Sequence, residues 1–179
     1  MIYVFLAEGF EEIEALATVD VLRRAELPVQ TVGVGGDWIC GSHGMRIQTD
    51  IREEDVELAK AQVIVLPGGM PGTRNLEASA DVQRALDYMT ENDRYIAAIC
   101  AAPSILGHRG QLNGKRATCF PGFEKDCSGA VILDEPAVAD GRIITGKGAG
   151  AAIDFALTIV EQLKGRSVSD ALRAAMQCR

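Results

Sequence analysis

The sequence predicts an α/β fold: a doubly wound sandwich, with a mostly parallel sheet covered by helices on both faces. Short apolar runs alternate with helical segments from end to end. The runs are nearly continuous in apolar residues, as strands buried on both faces are. The length of 179 residues suits one domain, residues 1–179, whose core needs no disulfide or metal staple. Crossovers in such sheets are right-handed, and their ligands bind at the carboxyl edge of the strands. That edge corresponds to residues 7–14, 67–73, 100–103 and 146–150.

The elements follow in order. Ile2 to Leu6 reads as a strand. Glu11 to Glu26 reads as a helix, with Ile13, Leu16, Ala17, Val21 and Ala25 on one face. Val19 and Leu22 fall outside that stripe, so this helix is expected to bury a second face, against another subunit. Val29 to Val34 is a second strand, and residues 37–49 form a small hairpin with a Gly-rich turn. Val63 to Leu66 is a buried strand ending at Pro67-Gly68-Gly69. Ala80 to Asn92 is a helix. Tyr95 to Ile99 is a buried strand followed by a short helix. Ile143 to Thr145 is a late strand. Gly150 to Leu163 is a helix with Ile153, Ala156, Leu157 and Val160 on one face, and Ser167 to Met176 closes the chain as a capped helix.

Composition narrows the function. Apolar residues make up 47% and charged residues 24%, which is ordinary globular usage. The net charge of −7 argues against a nucleic-acid partner and against docking on an anionic membrane. The apolar run at the N-terminus lacks a basic flank and is too short for a signal peptide, and no stretch approaches the ~18 apolar residues of a membrane span. Cys40, Cys100, Cys119, Cys127 and Cys178 are odd in number and include no CxxC pair, which points to reduced thiols in the cytoplasm. With only His43 and His108 present, no zinc site is expected.

The sharpest motif is Ile96-Ala-Ala-Ile-Cys100-Ala-Ala-Pro103. An apolar strand ends in a nucleophilic residue, small residues follow, and a helix begins with Pro in its first turn. This is the layout of a nucleophile elbow with Cys in place of Ser. The helix N-terminus is expected to favour the thiolate and lower the Cys100 pKa. The other four cysteines lack such a setting and read as structural. Glu11, Glu12 and Glu14 lie just past the first strand, at the same sheet edge. Glu11 and Glu12 suit a first helical turn. Glu14 lies about one turn further in, beside apolar residues. If it points inward, it must be paired or protonated, and next to a thiolate it would keep its proton. Gly68 and Gly69 let backbone N–H groups approach a ligand and could line an oxyanion pocket. Gly146-Lys-Gly148-Ala-Gly-Ala151 matches a dinucleotide fingerprint, but no strand with a ribose-binding acid follows, so no cofactor is expected.

Taken together, LAEGFEEIEA, VDVLRRA, VIVLPGG, AAICAAP and GKGAGAAIDFAL resemble the ThiJ/PfpI superfamily, in the branch of the parkinsonism-associated protein deglycase, over nearly the whole chain. The resemblance implies a flavodoxin-like sandwich and a homodimer joined through the first helix. It implies Cys100 as the reactive cysteine, Glu14 as its hydrogen-bonding partner, and Gly69 and Ala101 N–H groups around an anion pocket. Gly68, Gly148 and His43, the last where the relative carries Arg, are further pocket candidates. Hydrolase-like members place His directly after the nucleophile; here it is Ala101, which argues against peptidase action. Phe120 stands where the relative has His. The implied activity is cofactor-free conversion of α-oxoaldehydes or glycated substrates, as a glyoxalase III or deglycase. The alternative from another class is a peroxide sensor or redox-regulated chaperone acting through Cys100 sulfinate.

Overall fold

The computed structural model describes residues 1–178. In chain order the elements are β1 (Ile2–Leu6), α1 (Glu12–Arg24), β2 (Val29–Gly33), β3 (Trp38–Cys40), β4 (Arg46–Gln48), β5 (Ile51–Arg52), β6 (Val63–Leu66), α2 (Gly72–Ala78), α3 (Ala80–Glu91), β7 (Tyr95–Ile99), α4 (Pro103–His108), β8 (Arg116–Ala117), β9 (Val131–Ile132), β10 (Ala137–Asp140), β11 (Ile143–Gly146), α5 (Ala152–Lys164) and α6 (Arg166–Ala175). The main sheet has seven strands in the order β10-β11-β7-β6-β1-β2-β5. All neighbours are parallel except β10, which runs antiparallel to β11 at the edge. The hairpin expected at 37–49 is β3–β4.

Continuous apolar strands have the burial that their composition calls for. Every residue of β1 and β6 is buried. Tyr3, Phe5, Ile64 and Leu66 face one layer, packed on Leu86 and Met89 of α3 and Ile105 and Leu106 of α4. Ile2, Val4, Leu6, Val63 and Val65 face the other, packed on Val19 and Leu22 of α1 and Phe155 and Ile159 of α5. Each large side chain so buried contributes about 1.5–3 kcal/mol. Two helical layers around one sheet place the C-terminal ends of β1, β6, β7 and β11 side by side, which fixes where the site lies.

Three expectations are corrected. The α1 stripe is rotated: Val19 and Leu22 face the core with Ala15 and Thr18, while Ile13 is 57% exposed and Leu16 and Ala17 are half-buried. The helix is wedged between the sheet and α5, so it turns inward the face that packs on both. Ile153, expected on the buried face of α5, is 41% exposed for the same reason; Phe155 and Ile159 take the inward positions. Finally, α6 has no side-chain cap. It starts at Arg166, one residue early, directly from Gly165 at a φ of 87°. No helix among the described residues is long and apolar enough to cross a membrane.

Candidate active site

Cys100 follows the last residue of β7 and has a φ of 66°, in the left-handed region. For a residue other than Gly this costs about 1–3 kcal/mol and persists only where the surroundings enforce it. They do so here. The Cys100 N–H donates to the Gly146 carbonyl of β11 at 2.9 Å, and its carbonyl accepts from the Phe120 N–H at 2.8 Å. The chain then turns through Ala101 and Ala102 into α4, with Pro103 in the first turn. The elbow expected from the sequence is therefore present.

A second loop closes on the first. β6 ends at Leu66, and Pro67-Gly68-Gly69 crosses in front of Cys100. A β-carbon on Gly68 would lie 2.7 Å from Cys100 Cβ, 3.1 Å from its Sγ and 2.8 Å from Glu14 Oε2. Both side chains thus converge on the space that Gly68 leaves empty. Gly69 has a φ of 90°, and a β-carbon there would meet the backbone of Gly9 and Glu11 at 2.5 Å. The Glu11 N–H donates to the Gly68 carbonyl at 2.9 Å, which ties this loop to the start of α1.

Glu14 enters from the first turn of α1, which Glu11 caps by accepting from the Glu14 N–H at 2.7 Å. Its carboxyl is buried, with 1% residue exposure. Oε2 accepts from the Gly68 N–H at 2.8 Å, whereas Oε1 is buried with no hydrogen-bond partner. The carboxyl and the Cys100 sulfur border the same space beside Gly68. Burial pushes Glu14 up to about 7, against the pull of Cys100 and the Gly68 N–H.

The Cys100 thiol is pushed up to about 12, first by burial, then by the Glu14 charge and its hydrogen bond. The N–H groups of Ala101 and Gly69 act on the sulfur in the opposite direction. This corrects the expected lowering of the thiol pKa. α4 has only six residues, so its dipole is small, while the apolar setting and the adjacent carboxylate are strong. Two negative charges cannot share so dry a site. Thiol and carboxyl therefore pass from two protons to one through about pH 7, and the proton that remains is on sulfur.

The remaining candidates lie outside this pair. His43, on the hairpin turn, donates its backbone N–H to Glu12 Oε1 at 2.7 Å, and its Nδ1 lies 2.8 Å from Glu12 Oε2. Its charged neighbours are Glu12 and Glu11, which raise its pKa. It is thus tied to the helix start and not to Cys100. Glu12, which the sequence reading treated as a dipole-complementing acid, is 2% exposed and clasps the hairpin, accepting also from Met45 N–H and the Ser42 hydroxyl. Glu11, Glu12 and His43 bring potential ligand atoms within 4.8 Å of one another. The hairpin donors already engage Glu12, so a structural clasp accounts for this cluster. Gly148 lines a neighbouring cavity of about 550 Å³ with Phe120, Pro121 and Lys147, and faces Phe120 instead of Cys100. His108 pairs with Glu77 at 2.7 Å.

Residues 1–162 match the DJ-1/PfpI family. The chain belongs to that family. It is 37% identical over 166 residues to protein dj-1beta of Drosophila melanogaster, covering 91% of this chain and 89% of that one. It is 35% identical over 167 residues to the glutathione-independent glyoxalase DJR-1.2 of Caenorhabditis elegans, covering 92% and 89%. Two Arabidopsis thaliana homologues are longer, and the chain spans 37% and 45% of them. Among solved structures, oxidised Toxoplasma gondii DJ-1 superposes with a TM-score of 0.94 at 30% identity, covering 98% of this chain and 97% of that one. The flavodoxin-like sandwich expected of a DJ-1/PfpI member is the fold observed.

Proposed function

We propose that this protein is a cofactor-free glyoxalase that converts an α-oxoaldehyde such as methylglyoxal to the 2-hydroxy acid, with Cys100 as nucleophile and Glu14 moving the protons. The observation that carries the reading is the buried Glu14 carboxyl, one oxygen unpartnered, coupled to a thiol on a strained elbow. The relative named as a glutathione-independent glyoxalase supports it.

The steps start from the ionised Glu14 carboxylate beside the protonated Cys100 thiol. Glu14 takes the Cys100 proton as the sulfur adds to the aldehyde carbon, and the new oxygen is held by the Gly69 and Ala101 N–H groups. Glu14 returns its proton to that oxygen, completing a hemithioacetal. The ionised carboxylate then removes the hydrogen from the sulfur-bearing carbon to give an enediol, and protonation of the neighbouring carbon leaves a thioester. Water cleaves the thioester, releasing lactate and restoring the thiol.

The raised thiol weighs against the peroxide-sensor alternative, because a sensor needs a standing thiolate. The outward face of α1, with Ile13 exposed, is the surface on which we place a homodimer contact. The deciding experiment measures lactate from methylglyoxal without glutathione, for the native chain and Cys100→Ser. Many equivalents per subunit from the native chain and none from the variant are expected. One equivalent or less from the native chain would overturn the reading.

A further inference from the structure

We propose that the cavity at the amino ends of β7 and β11 binds a small organic anion with an apolar body, held by Arg94 and Lys115. The cavity has a volume of about 350 Å³. Small-molecule pockets fall at about 300–1,000 Å³. Its buried lining is Met89 of α3 with Ile96 and Ile143, which are register partners near the starts of β7 and β11. All three belong to the core layer beneath α3 and α4. The rim carries Arg94, Lys115 and Arg142 against a single carboxylate, that of Asp93. Three cations around one cavity are unexpected in a chain of net charge −7, and they set a local field of the opposite sign.

The rim cations are not equally engaged. The Arg142 guanidinium pairs with Asp93 at 3.0 Å and lies 4.6 Å from the centre of the Tyr95 ring. Arg94 and Lys115 have no carboxylate partner and no side-chain hydrogen bond among the described residues. Both are set on fixed backbone. The Arg94 N–H donates to the Met89 carbonyl at 2.8 Å, and the Lys115 N–H to the Leu112 carbonyl at 3.0 Å. Lys115 is half-buried, and its Nζ lies over the β10–β11 turn, 3.4 Å from where a β-carbon on Gly141 would stand. The acceptors nearby are already spent. At the end of α3 the Tyr88, Met89 and Thr90 carbonyls accept from the N–H groups of Asn92, Arg94 and Asp93. The Thr90 hydroxyl donates to the Leu86 carbonyl at 2.9 Å and accepts from the Gln111 amide at 2.6 Å, which leaves one Gln111 N–H over. The side-chain polar groups left to meet a ligand are therefore donors, two of them charged.

Charged donors above an apolar lining select a ligand with both characters. A carboxylate gains charge-assisted hydrogen bonds at Arg94 and Lys115, and an attached apolar body covers Met89, Ile96 and Ile143. A bare small anion gains only the first, and a neutral apolar molecule only the second. The site is separate from the elbow. Ile96 lies four residues before Cys100 on the same strand, roughly 13 Å away at the strand rise of ~3.3 Å per residue. It also lies in the α3 and α4 layer, across the sheet from α1 and α5. A homodimer contact through the outward face of α1 would leave it open.

The test titrates 2-naphthoate into the native chain and follows backbone amide shifts by NMR. Saturable binding at one site per chain is expected, with the shifts gathered at residues 89–96, 111–115 and 141–143. The uncharged 2-naphthalenemethanol and the bare anion acetate should each bind about tenfold more weakly or worse, and added salt should weaken the naphthoate. Arg94→Gln and Lys115→Gln, both outside the Cys100 site, should each lower naphthoate affinity about tenfold while the thermal melt and lactate production stay native. The double variant Arg94→Gln/Lys115→Gln should abolish the shifts. The proposal is overturned if naphthoate does not saturate up to its solubility limit, or if its shifts gather at the loops around Cys100 and Gly68. It is also overturned if the alcohol or acetate binds as tightly as naphthoate, or if the double variant binds it at native affinity. The same titration of Cys100→Ser should match the native chain, so failure of the glyoxalase reading would leave this result untouched.

Discussion

Substituting Gly68→Ala puts one methyl group into the space where Cys100 and Glu14 meet. The backbone is not the obstacle, because Gly68 is absent from the left-handed region. The obstacle is contact: 2.7 Å to Cys100 Cβ, 2.8 Å to Glu14 Oε2 and 3.1 Å to Cys100 Sγ, all inside normal van der Waals separation. Each neighbour must shift by several tenths of an ångström, and Cys100 sits on a backbone pinned at both N–H and carbonyl. Overpacking of this kind costs about 1–3 kcal/mol, and a chain of this length then loses roughly 2–12 °C in Tm. The catalytic effect should be larger than the stability effect, because a misplacement near 1 Å costs about 100-fold in rate. Lactate production and a thermal melt on the same preparation check this. Gly36→Ala, where an added β-carbon meets nothing within 4 Å, serves as the control and should be unchanged in both. A Gly68→Ala protein that folds and turns over methylglyoxal at the native rate would refute the claim that Cys100 and Glu14 act through this shared space.

Other substitutions probe the neighbouring groups. Glu14→Gln keeps the Gly68 N–H partner but cannot accept a proton, so turnover should fall by about 10²–10⁴-fold, read as lactate. The native rate should rise with pH through about 7 as the carboxyl ionises. Stability has the opposite slope. Between the ordinary Glu value of 4.5 and about 7 the folded chain holds a proton that the unfolded chain has released, so stability falls as pH rises through that window. The loss is up to about 3 kcal/mol by urea unfolding, and Glu14→Gln should flatten it. Glu12→Ala removes the hairpin clasp and leaves the His43 and Met45 N–H groups without their acceptor, costing about 1.5–3 kcal/mol in urea unfolding. In the same variant the His43 titration followed by NMR should drop toward 6.5, because Glu12 is the main cause of its raised value.

Strands buried on both faces announce themselves, so β1, β6, β7 and β11 were legible as apolar runs, and their order put Cys100, Glu14 and Gly68 at one edge. What periodicity could not supply was helix rotation. Ile13 and Val19 are equally apolar, and only the joint packing of α1 on the sheet and α5 decides that Val19 goes in and Ile13 out. The short pieces β5, β8, β9 and β10 were missed because two to four residues carry no period, and α2 because Gly72-Thr-Arg-Asn has no apolar stripe. Glu12 shows the same limit at the site. As a residue in a first helical turn it has an adequate local reason to be acidic. Its burial under the hairpin depends on Ser42, His43 and Met45, some 30 residues away.

The thiol pKa was the one chemical expectation with the wrong sign, and the error bears on how the proposed site works. An elbow at a helix N-terminus stabilises a thiolate when donors outnumber other influences. Here the donors from Gly69 and Ala101 compete with desolvation and with a carboxylate in the same dry space, and they lose. The resting sulfur is therefore protonated, and its reactivity waits on Glu14. An aldehyde gives that arrangement its advantage, because the proton Glu14 collects during attack is then used on the new oxygen, held at the backbone donors. A peroxide offers no carbonyl oxygen for those donors to hold, so the coupled pair favours carbonyl addition over oxidation of the same sulfur.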